Sequence, residues 1–307
     1  MNIYDLETED IGRTDGSDSA EVFRKLQKLS EPTIFENLGQ QSEFVESWTM
    51  DFFEGLDAEV PVQRPEPDGV NYFVDYFRLP MREFVRRIRT GEDLYIGARE
   101  ILKRNGVPSD LHGLAALANV MPIPSFIDKD RIWSSNLWVG AGNNNTLLHY
   151  DPWDSIQLLG SGKKEFLIFP PLESRRMKQY GPFHLQSLKQ GRNLHSKIRP
   201  LNVQAEYAED FSKAKGWRAV IEAGDMIAIP TGYWHFVRST GTNIGVNYFM
   251  MPTDKSVYLR EPMRSYWIKD NITLPPFRLY KKSRRRAGQV LRSMGLLGGE
   301  RSKADEA

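Results

Sequence analysis

Three side chains in this sequence carry the donor atoms of a metal site. His149 and Asp151 form a His-X-Asp pair inside a run of alternating apolar residues, and His235 follows 84 residues after Asp151 (235 − 151), just beyond a Pro-Thr-Gly turn. Two imidazoles and one carboxylate are the ligand set of the facial triad that holds non-haem Fe(II) and leaves positions open for a co-substrate and O2. The residue types therefore predict oxidative chemistry at one iron ion.

Strand geometry supports the pairing of the first two residues. Residues i and i+2 of a β-strand project from the same face, so His149 and Asp151 point together while Tyr150 points away. The pair alone is a weak signal, because five histidines and 40 acidic residues make a chance match common, and a buried structural histidine is the alternative. The remaining histidines fall in predicted loops or helices: His112, His184 and His195.

The elements that would position these residues are short strands, which begin near residue 132. The predicted strands are 136–140, 146–151, 155–160, 164–169, 218–222, 226–229, 234–239 and 243–250. Gly160-Ser161-Gly162 separates two of them by the length of a hairpin turn. Regularly spaced strands without intervening helices are typical of a barrel or jelly roll, so we expect a mainly β fold. The long polar stretch 171–217 is expected to be functional or partly helical.

Mixed α/β elements precede this region and helices follow it. The predicted elements are a helix over 19–29 capped by Ser17-Asp18, a strand at 32–35, a helix from Thr49 to Gly55, a loop over 59–69, a helix between Pro80 and Gly91, a helix at 110–119 and a helical stretch at 255–268. The sequence thus divides into a flexible N-terminus (1–17), a helical and strand segment that packs on the core (18–131), the β core (132–252) and a C-terminal helical region with a basic tail (253–307).

Composition restricts the class of protein. The net charge is +1, so overall charge does not favour nucleic acid or a membrane as a partner, and the absence of cysteine excludes disulfides and cysteine-ligated metals. The acidic N-terminus lacks the features of a signal peptide, and no apolar run is long enough to span a membrane. We expect a cytoplasmic protein.

Lys164 lies fifteen residues after His149 (164 − 149). In strict alternation it shares a strand face with Phe166 and Ile168, which would bury its ammonium group in apolar surroundings. The alternative is an exposed Lys163-Lys164 pair on a hairpin. A buried lysine in this place would suit the distal carboxylate of a 2-oxoglutarate co-substrate, as a charge-assisted hydrogen-bond donor.

Five motifs together make a family resemblance specific. They are Leu137-Trp138-Val139-Gly140, Thr146-Leu147-Leu148-His149-Tyr150-Asp151-Pro152, Gly162-Lys163-Lys164 with Phe169-Pro170-Pro171, Gly224-Asp225 to Pro230 leading into Trp234-His235, and Gly245 to Phe249. In these motifs, residues 132–250 resemble the jumonji-C, cupin-like 2-oxoglutarate oxygenases, whose core is a double-stranded β-helix of the jelly-roll type. The segments 31–49 and 93–96 are more loosely similar. The subgroup with the greatest similarity is that of the factor-inhibiting-HIF-like protein hydroxylases.

The resemblance implies a role for eight residues. The implied metal ligands, which are also the catalytic residues, are His149, Asp151 and His235. The implied 2-oxoglutarate residues are Lys164, Thr146 and Tyr95, with Asn247 beside them and Ser155 where the asparaginyl hydroxylase carries an asparagine. The implied cofactors are Fe(II), 2-oxoglutarate and O2, and the implied products are succinate, CO2 and a hydroxylated substrate.

The prime substrate is left open by the sequence. A peptidyl or protein side chain and a small natural-product molecule are the first candidates, and residues that could contact it are Trp138, Trp153, Asp154, Tyr72, Tyr76 and Arg78. A tRNA hydroxylase, an N-demethylase and a non-catalytic cupin-like binding module are the alternatives. The basic tail 278–292 fits a solvated helix face, a homodimer through C-terminal helices, or binding to RNA, an acidic protein or a membrane surface.

Overall fold

A computed structural model of the chain describes residues 1–38, 46–64, 76–109, 114, 117–118, 123–190 and 194–275. Within these residues, 14 strands join one mixed sheet. The strands are β1 (Thr8–Asp10), β2 (Arg13–Asp15), β3 (Thr33–Glu36), β4 (Glu59–Gln63), β5 (Tyr76–Pro80), β6 (Tyr95–Lys103), β7 (Val107–Pro108), β8 (Ile132–Gly140), β9 (Asn143–Asn145), β10 (His149–Tyr150), β11 (Asp154–Phe169), β12 (Gly216–Glu222), β13 (Met226–Ile229) and β14 (Trp234–Met250). The predicted mainly β fold is confirmed.

The helices are short and lie outside the core strands. They are α1 (Ser19–Gln27), α2 (Met50–Glu54), α3 (Met81–Arg89), α4 (Leu185–Gln190), α5 (Ala205–Phe211) and α6 (Met263–Ile268). Asp18 caps α1 by accepting hydrogen bonds from two backbone N–H groups, and Thr49 caps α2 by accepting one from the N–H of Phe52. The helices predicted at these caps and between Pro80 and Gly91 are confirmed. No helix in the described ranges is long and apolar enough to cross a membrane.

Two long strands make the jelly roll. β11 and β14 pair with each other along their whole length, from Asp154 opposite Met250 to Phe169 opposite Trp234. In one half, β13 flanks β11 and β8 flanks β14; in the other half, β12 flanks β11, while β9 and β10 flank β14. Because each long strand changes partners midway, it runs from one layer of the barrel into the other.

The hairpin predicted at residues 160–162 is wrong. β11 continues through these residues, with two register shifts against β14 that mark the bend between the layers. Gly162 has a φ of +86°, and a Cβ there would lie 2.4 Å from the carbonyl oxygen of Thr242. Only glycine fits this close approach, so the glycines bend one strand and do not join two. For the same reason, the predicted strands 234–239 and 243–250 are one strand.

The N-terminal residues also differ from the prediction. Residues 1–17, expected to be flexible from their polar composition, form two short strands: β1 pairs with β12, and β2 pairs with β3. Ile3 and Ile11 are buried and anchor this segment to the barrel. Within the loop predicted at 59–69, residues 59–63 form β4, because Val60 and Val62 pack into the core.

The stretch 171–217 is partly helical, as predicted, and contains α4, α5 and a 3-10 turn at Pro171–Arg175. Residues 255–268 are helical as well, in a 3-10 turn at Lys255–Leu259 and in α6. Most of the helix predicted at 110–119, Tyr72 and the basic tail 278–292 lie outside the described residues. The division of the chain at residues 132 and 252 stays a prediction.

Candidate metal centre

The structure brings the three predicted ligands together at one end of the barrel. His149 on β10 and His235 on β14 are direct cross-strand partners, and Asp151 follows β10 immediately. His149 Nε2 lies 4.0 Å from Asp151 Oδ1, His235 Nε2 lies 3.5 Å from Asp151 Oδ2, and the three donor atoms lie within 4.8 Å of one another. Atoms that share a metal at about 2.1 Å lie about 3 to 4 Å apart, so the donors fit a single ion after a small contraction.

Hydrogen bonds orient both imidazoles toward this common point. Nδ1 of His149 lies 2.7 Å from the carbonyl oxygen of Leu147, and Nδ1 of His235 lies 3.1 Å from that of Tyr233. A carbonyl only accepts, so each Nδ1 must carry the proton and donate it. Each Nε2 therefore keeps its lone pair for a metal, in the arrangement that supports histidine ligands in metalloproteins.

Burial shifts the pKa values of Asp151 and His235 in opposite directions. Desolvation raises the pKa of Asp151, and the neighbouring His149 lowers it to a smaller extent. Desolvation lowers the pKa of His235 well below its usual value, with His149 adding to that effect. His235 is thus held as the neutral imidazole that binds metals, and the buried carboxylate supplies the negative charge that a divalent ion needs.

A structural network holds the turn that carries Asp151. The N–H of Gly232 donates to the carbonyl oxygen of Asp151 at 3.0 Å. Asp154 accepts hydrogen bonds from the N–H and hydroxyl of Thr231 and forms an ion pair with Arg131 at 2.8 Å. The carboxylate of Asp154, predicted as a substrate contact, is therefore occupied in joining the turn after Asp151 to the turn before His235.

Lys164 projects into the barrel on the same side as the triad. Its cross-strand partner on β14 is Ser239, which shares a strand face with His235 by alternation. Only 2% of the residue is exposed, and burial lowers its pKa to about 7. Its Nζ lies 5.8 Å from the centre of the Trp138 ring, and within the described ranges no carboxylate forms an ion pair with it. A buried ammonium group without an anion is costly, which is consistent with a ligand carboxylate as its partner.

Two more predicted co-substrate residues surround Trp138. The indole N–H of Trp138 donates to Oδ1 of Asn247 at 2.9 Å, which leaves the amide NH2 of Asn247 as a donor. The ring of Tyr95 lies 6.1 Å from that of Trp138, and burial raises the pKa of its hydroxyl. A Cβ on Gly140 would lie 2.5 Å from the Tyr95 ring, so Gly140 makes room for this tyrosine.

Thr146 and Ser155 are the two remaining residues predicted at the co-substrate. The hydroxyl oxygen of Thr146 accepts a hydrogen bond from the N–H of Val237 at 2.9 Å and keeps its proton as a donor. Ser155 is buried opposite Phe249 on β14. Gln157, which sequence reasoning missed, is buried opposite Asn247 on the same face as Ser155. Strand alternation from Ser155 would have identified it.

His195 is a second residue that sequence reasoning missed. It forms an isolated antiparallel bridge with His149, and the two rings stack at 5.9 Å with 25° between their planes. The N–H of Ser196 donates to the carbonyl oxygen of Leu148 at 2.8 Å, and Ser196 also bridges to Gln179. A small ribbon from the 171–217 connection therefore covers the free edge of β10 and places a third imidazole beside the triad.

Two other predicted substrate contacts lie on a strand near Tyr95, because Gln63 of β4 pairs with both Tyr76 and Tyr95. Tyr76 and Arg78 are on β5, at the end of the sheet, where Arg78 pairs with Glu59. Met263 lines a cleft of about 1020 Å³. It packs in one cluster with Tyr150 and Trp234, whose side chains point away from the triad. The cleft therefore lies on the other side of β10 and β14 from the candidate ligands.

Comparison with known proteins agrees with this fold and site. The profile of the cupin-like domain matches residues 19–256, and the chain belongs to that family. It is 23% identical over 257 residues to tRNA wybutosine-synthesizing protein 5 of Mus musculus, covering 78% of this chain and 77% of the relative. It is 24% identical to the bifunctional peptidase and (3S)-lysyl hydroxylase JMJD7 of Homo sapiens, with 71% of this chain and 76% of the relative covered. It is 25% identical to the lysine-specific demethylase JMJ31 of Arabidopsis thaliana, with 51% of this chain and 28% of the relative covered.

These relatives confirm the jumonji-C, cupin-like class that the motifs indicated. The narrower similarity to the factor-inhibiting-HIF-like hydroxylases stays a prediction, as does the cytoplasmic location.

Proposed function

We propose that this protein is an Fe(II)- and 2-oxoglutarate-dependent hydroxylase. His149, Asp151 and His235 would hold the metal, and Lys164 would bind the distal carboxylate of 2-oxoglutarate. The observation that carries the proposal is the buried Lys164, which lies on the triad side of the barrel without an acidic partner in the described ranges. A non-catalytic binding module has no need for this costly arrangement.

The side chains around Lys164 would complete the co-substrate site. Thr146 and Tyr95 each offer a hydroxyl donor, and Asn247 offers its amide NH2. Ser155 would offer one hydrogen bond. When bound, Fe(II) would supply the oxidation of 2-oxoglutarate by O2 to succinate and CO2, coupled to hydroxylation of a substrate C–H bond.

For the prime substrate we favour a protein side chain, because the human relative is a bifunctional peptidase and (3S)-lysyl hydroxylase. A tRNA nucleoside is the second candidate, because several relatives are tRNA wybutosine-synthesizing proteins. Small natural-product molecules and N-demethylation are further alternatives, the latter supported by the Arabidopsis demethylases. A homodimer through C-terminal helices stays a prediction.

The first experiment measures succinate release from 2-oxoglutarate in the presence of Fe(II) and ascorbate. Wild-type protein should release succinate slowly even without a prime substrate, and Asp151→Ala should abolish the reaction because the metal is lost. Turnover that survives in Asp151→Ala would contradict the proposal. The absence of any 2-oxoglutarate-dependent rise in melting temperature for the Co(II)-loaded wild type would favour the binding module.

The tRNA alternative has its own test. If the basic tail binds tRNA, affinity for unfractionated tRNA should fall steeply with salt, and deletion of residues 278–292 should remove that dependence. An unchanged salt dependence in the deletion variant would reject the tail as the binding element.

A further inference from the structure

An array of aromatic rings begins beside the candidate metal centre and ends at the surface. Trp153 lies two residues after Asp151 and stacks on Trp133, with 5.4 Å between ring centres and 19° between planes. Phe249 contacts the Trp153 ring at 5.3 Å, and the guanidinium of Arg104 lies 4.8 Å over the Trp133 ring. The array thus runs in the order Phe249, Trp153, Trp133, Arg104.

A β-bulge separates Trp133 from the regular pairing of β8 with β14. The register between β8 and β14 slips between Phe249 and Met250, so that Trp133 has no partner of its own on β14. Bulges at barrel rims commonly re-aim a side chain toward a functional site. Phe249 shares a strand face with Asn247 and faces the interior, whereas Trp133 is 36% exposed. The array therefore connects the co-substrate side of the barrel with solvent.

The outer end of the array carries an exposed arginine. Arg104 belongs to an exposed 3-10 turn that packs against the turn carrying Lys129, which is also exposed. Arg131 in that second turn is neutralised by Asp154, and the turn also carries Asp130 and its N-cap Asp128, whose carboxylate accepts hydrogen bonds from the Asp130 N–H and from Gln27. Within the described part of the chain, no carboxylate forms an ion pair with Arg104. Its planar fork is therefore available to bind an anion with two parallel hydrogen bonds.

The stacking decides which substrate class fits. A nucleobase binds by covering a free aromatic face. The Trp133 ring stacks on Trp153 and has the Arg104 guanidinium over it, and the Trp153 ring contacts Trp133 and, at a tilt of 45°, Phe249. Each indole thus already has two neighbours with which a stacking base would compete, whereas the indole edges and the guanidinium can be contacted without such competition. Apolar side chains pack on such edges, and exposed tryptophan and arginine are the residues that dominate binding energy in protein interfaces.

We propose that Arg104, Trp133 and Trp153 form the recognition site for a protein segment in which an Asp or Glu lies beside an apolar residue. The carboxylate would bind Arg104, the apolar side chain would pack on the indole edges, and the residue to be hydroxylated would follow toward Asp151. The inference rests on the proposed function and names the substrate class of that same site.

The test uses the full-length protein and a fluorescein-labelled random copolymer of glutamate and tyrosine as the probe, with binding followed by anisotropy. Arg104→Ala should raise Kd roughly 10- to 100-fold, as expected for a lost charge-assisted hydrogen bond. Trp133→Ala should raise it at least about 10-fold. Arg104→Lys should raise Kd by an intermediate factor, because the ammonium keeps the positive charge but cannot donate two parallel hydrogen bonds to one carboxylate.

Matched controls are available in the C-terminal region, outside the proposed recognition site. Arg260 is an exposed arginine and Trp267 an exposed tryptophan in the C-terminal region, and Arg260→Ala and Trp267→Ala should leave Kd unchanged. Equal effects of the control and test variants would overturn the proposal, as would failure of the wild type to bind the copolymer. Tighter binding of unfractionated tRNA that is lost in Arg104→Ala would overturn it in favour of a nucleotide.

Failure of the proposed function is seen in a different measurement. If the proposed function is wrong, 2-oxoglutarate will not raise the melting temperature of the Co(II)-loaded wild type, whether or not the protein binds the copolymer. Melting temperatures of Arg104→Lys and Trp133→Ala confirm folding, and both residues are exposed enough for substitution to leave the core intact.

Discussion

Replacing Lys164 with Met should stabilise the metal-free protein while it abolishes tight 2-oxoglutarate binding. Burial lowers the pKa of Lys164 from 10.5 to about 7. At about 1.4 kcal/mol per pKa unit, this shift corresponds to an upper limit of about 5 kcal/mol for the cost of burying the charged amine. Methionine has a similar length and no charge, so Lys164→Met removes that cost and keeps the packing.

The pH dependence gives the sign of this effect. Below pH 7, both the folded and unfolded states hold the proton, and the full burial cost weakens the wild type. Between about pH 7 and 10.5, the unfolded state holds the proton and the folded state does not, so the free energy of unfolding contributed by Lys164 rises with pH. Lys164→Met lacks this rise, and its advantage over the wild type should therefore be largest near pH 6 and vanish toward pH 10.

The assay is urea unfolding of the metal-free proteins at pH 6 and pH 9, followed by calorimetric titration of the Co(II)-loaded proteins with 2-oxoglutarate. Loss of the charged hydrogen bond should raise Kd roughly 10- to 100-fold. Lys163→Met is the control, because Lys163 is half-exposed and its ion pair with Glu222 at 3.2 Å is a surface pair. If Lys164→Met is less stable than the wild type at pH 6 and binds 2-oxoglutarate as tightly, the reasoning is wrong.

Three further predictions concern the surroundings of the metal. His195→Ala should weaken Co(II) binding roughly 10- to 100-fold, because the ring stacked on His149 is lost. His195→Phe keeps a ring at this position and should bind Co(II) with near wild-type affinity. His184→Ala is the control and should have no effect. Identical Co(II) isotherms for these variants would refute the positioning role. Trp138→Phe removes the donor that orients Asn247 and should raise the Kd of 2-oxoglutarate roughly 3- to 10-fold by calorimetry, with Co(II) affinity unchanged. Adding EDTA to the Co(II)-loaded wild type should lower its melting temperature, because the buried carboxylate of the triad loses its cation; unchanged melting curves would argue against a metal bound to the folded state.

The sequence was a good guide wherever a residue lies in a regular strand. Alternation placed His149 and Asp151 together and turned Lys164 inward, because the side-chain period of a buried strand is fixed by the backbone. Hairpin reasoning failed at Gly160 to Gly162, since glycine also permits a bend within one continuous strand, and only the long-range partner β14 decides between the two.

His195 shows why the rest of the site was not predictable. It arrives at the triad from a connection without periodicity, and its place depends on a ribbon that forms against the edge of β10. Trp133 is similar, because a bulge that depends on pairing between distant strands reverses the direction that alternation would give it. Local patterns do not encode such pairings.

The continuous pairing of β11 with β14 has a consequence for how this protein matures. His149 and His235 become neighbours only when β14, late in the chain, aligns with β10 and β11. A growing or partly folded chain therefore has separated donors and no chelating site. Contacts between residues so distant in sequence form slowly. High-affinity metal capture should accordingly be among the last events of maturation, after the barrel has closed.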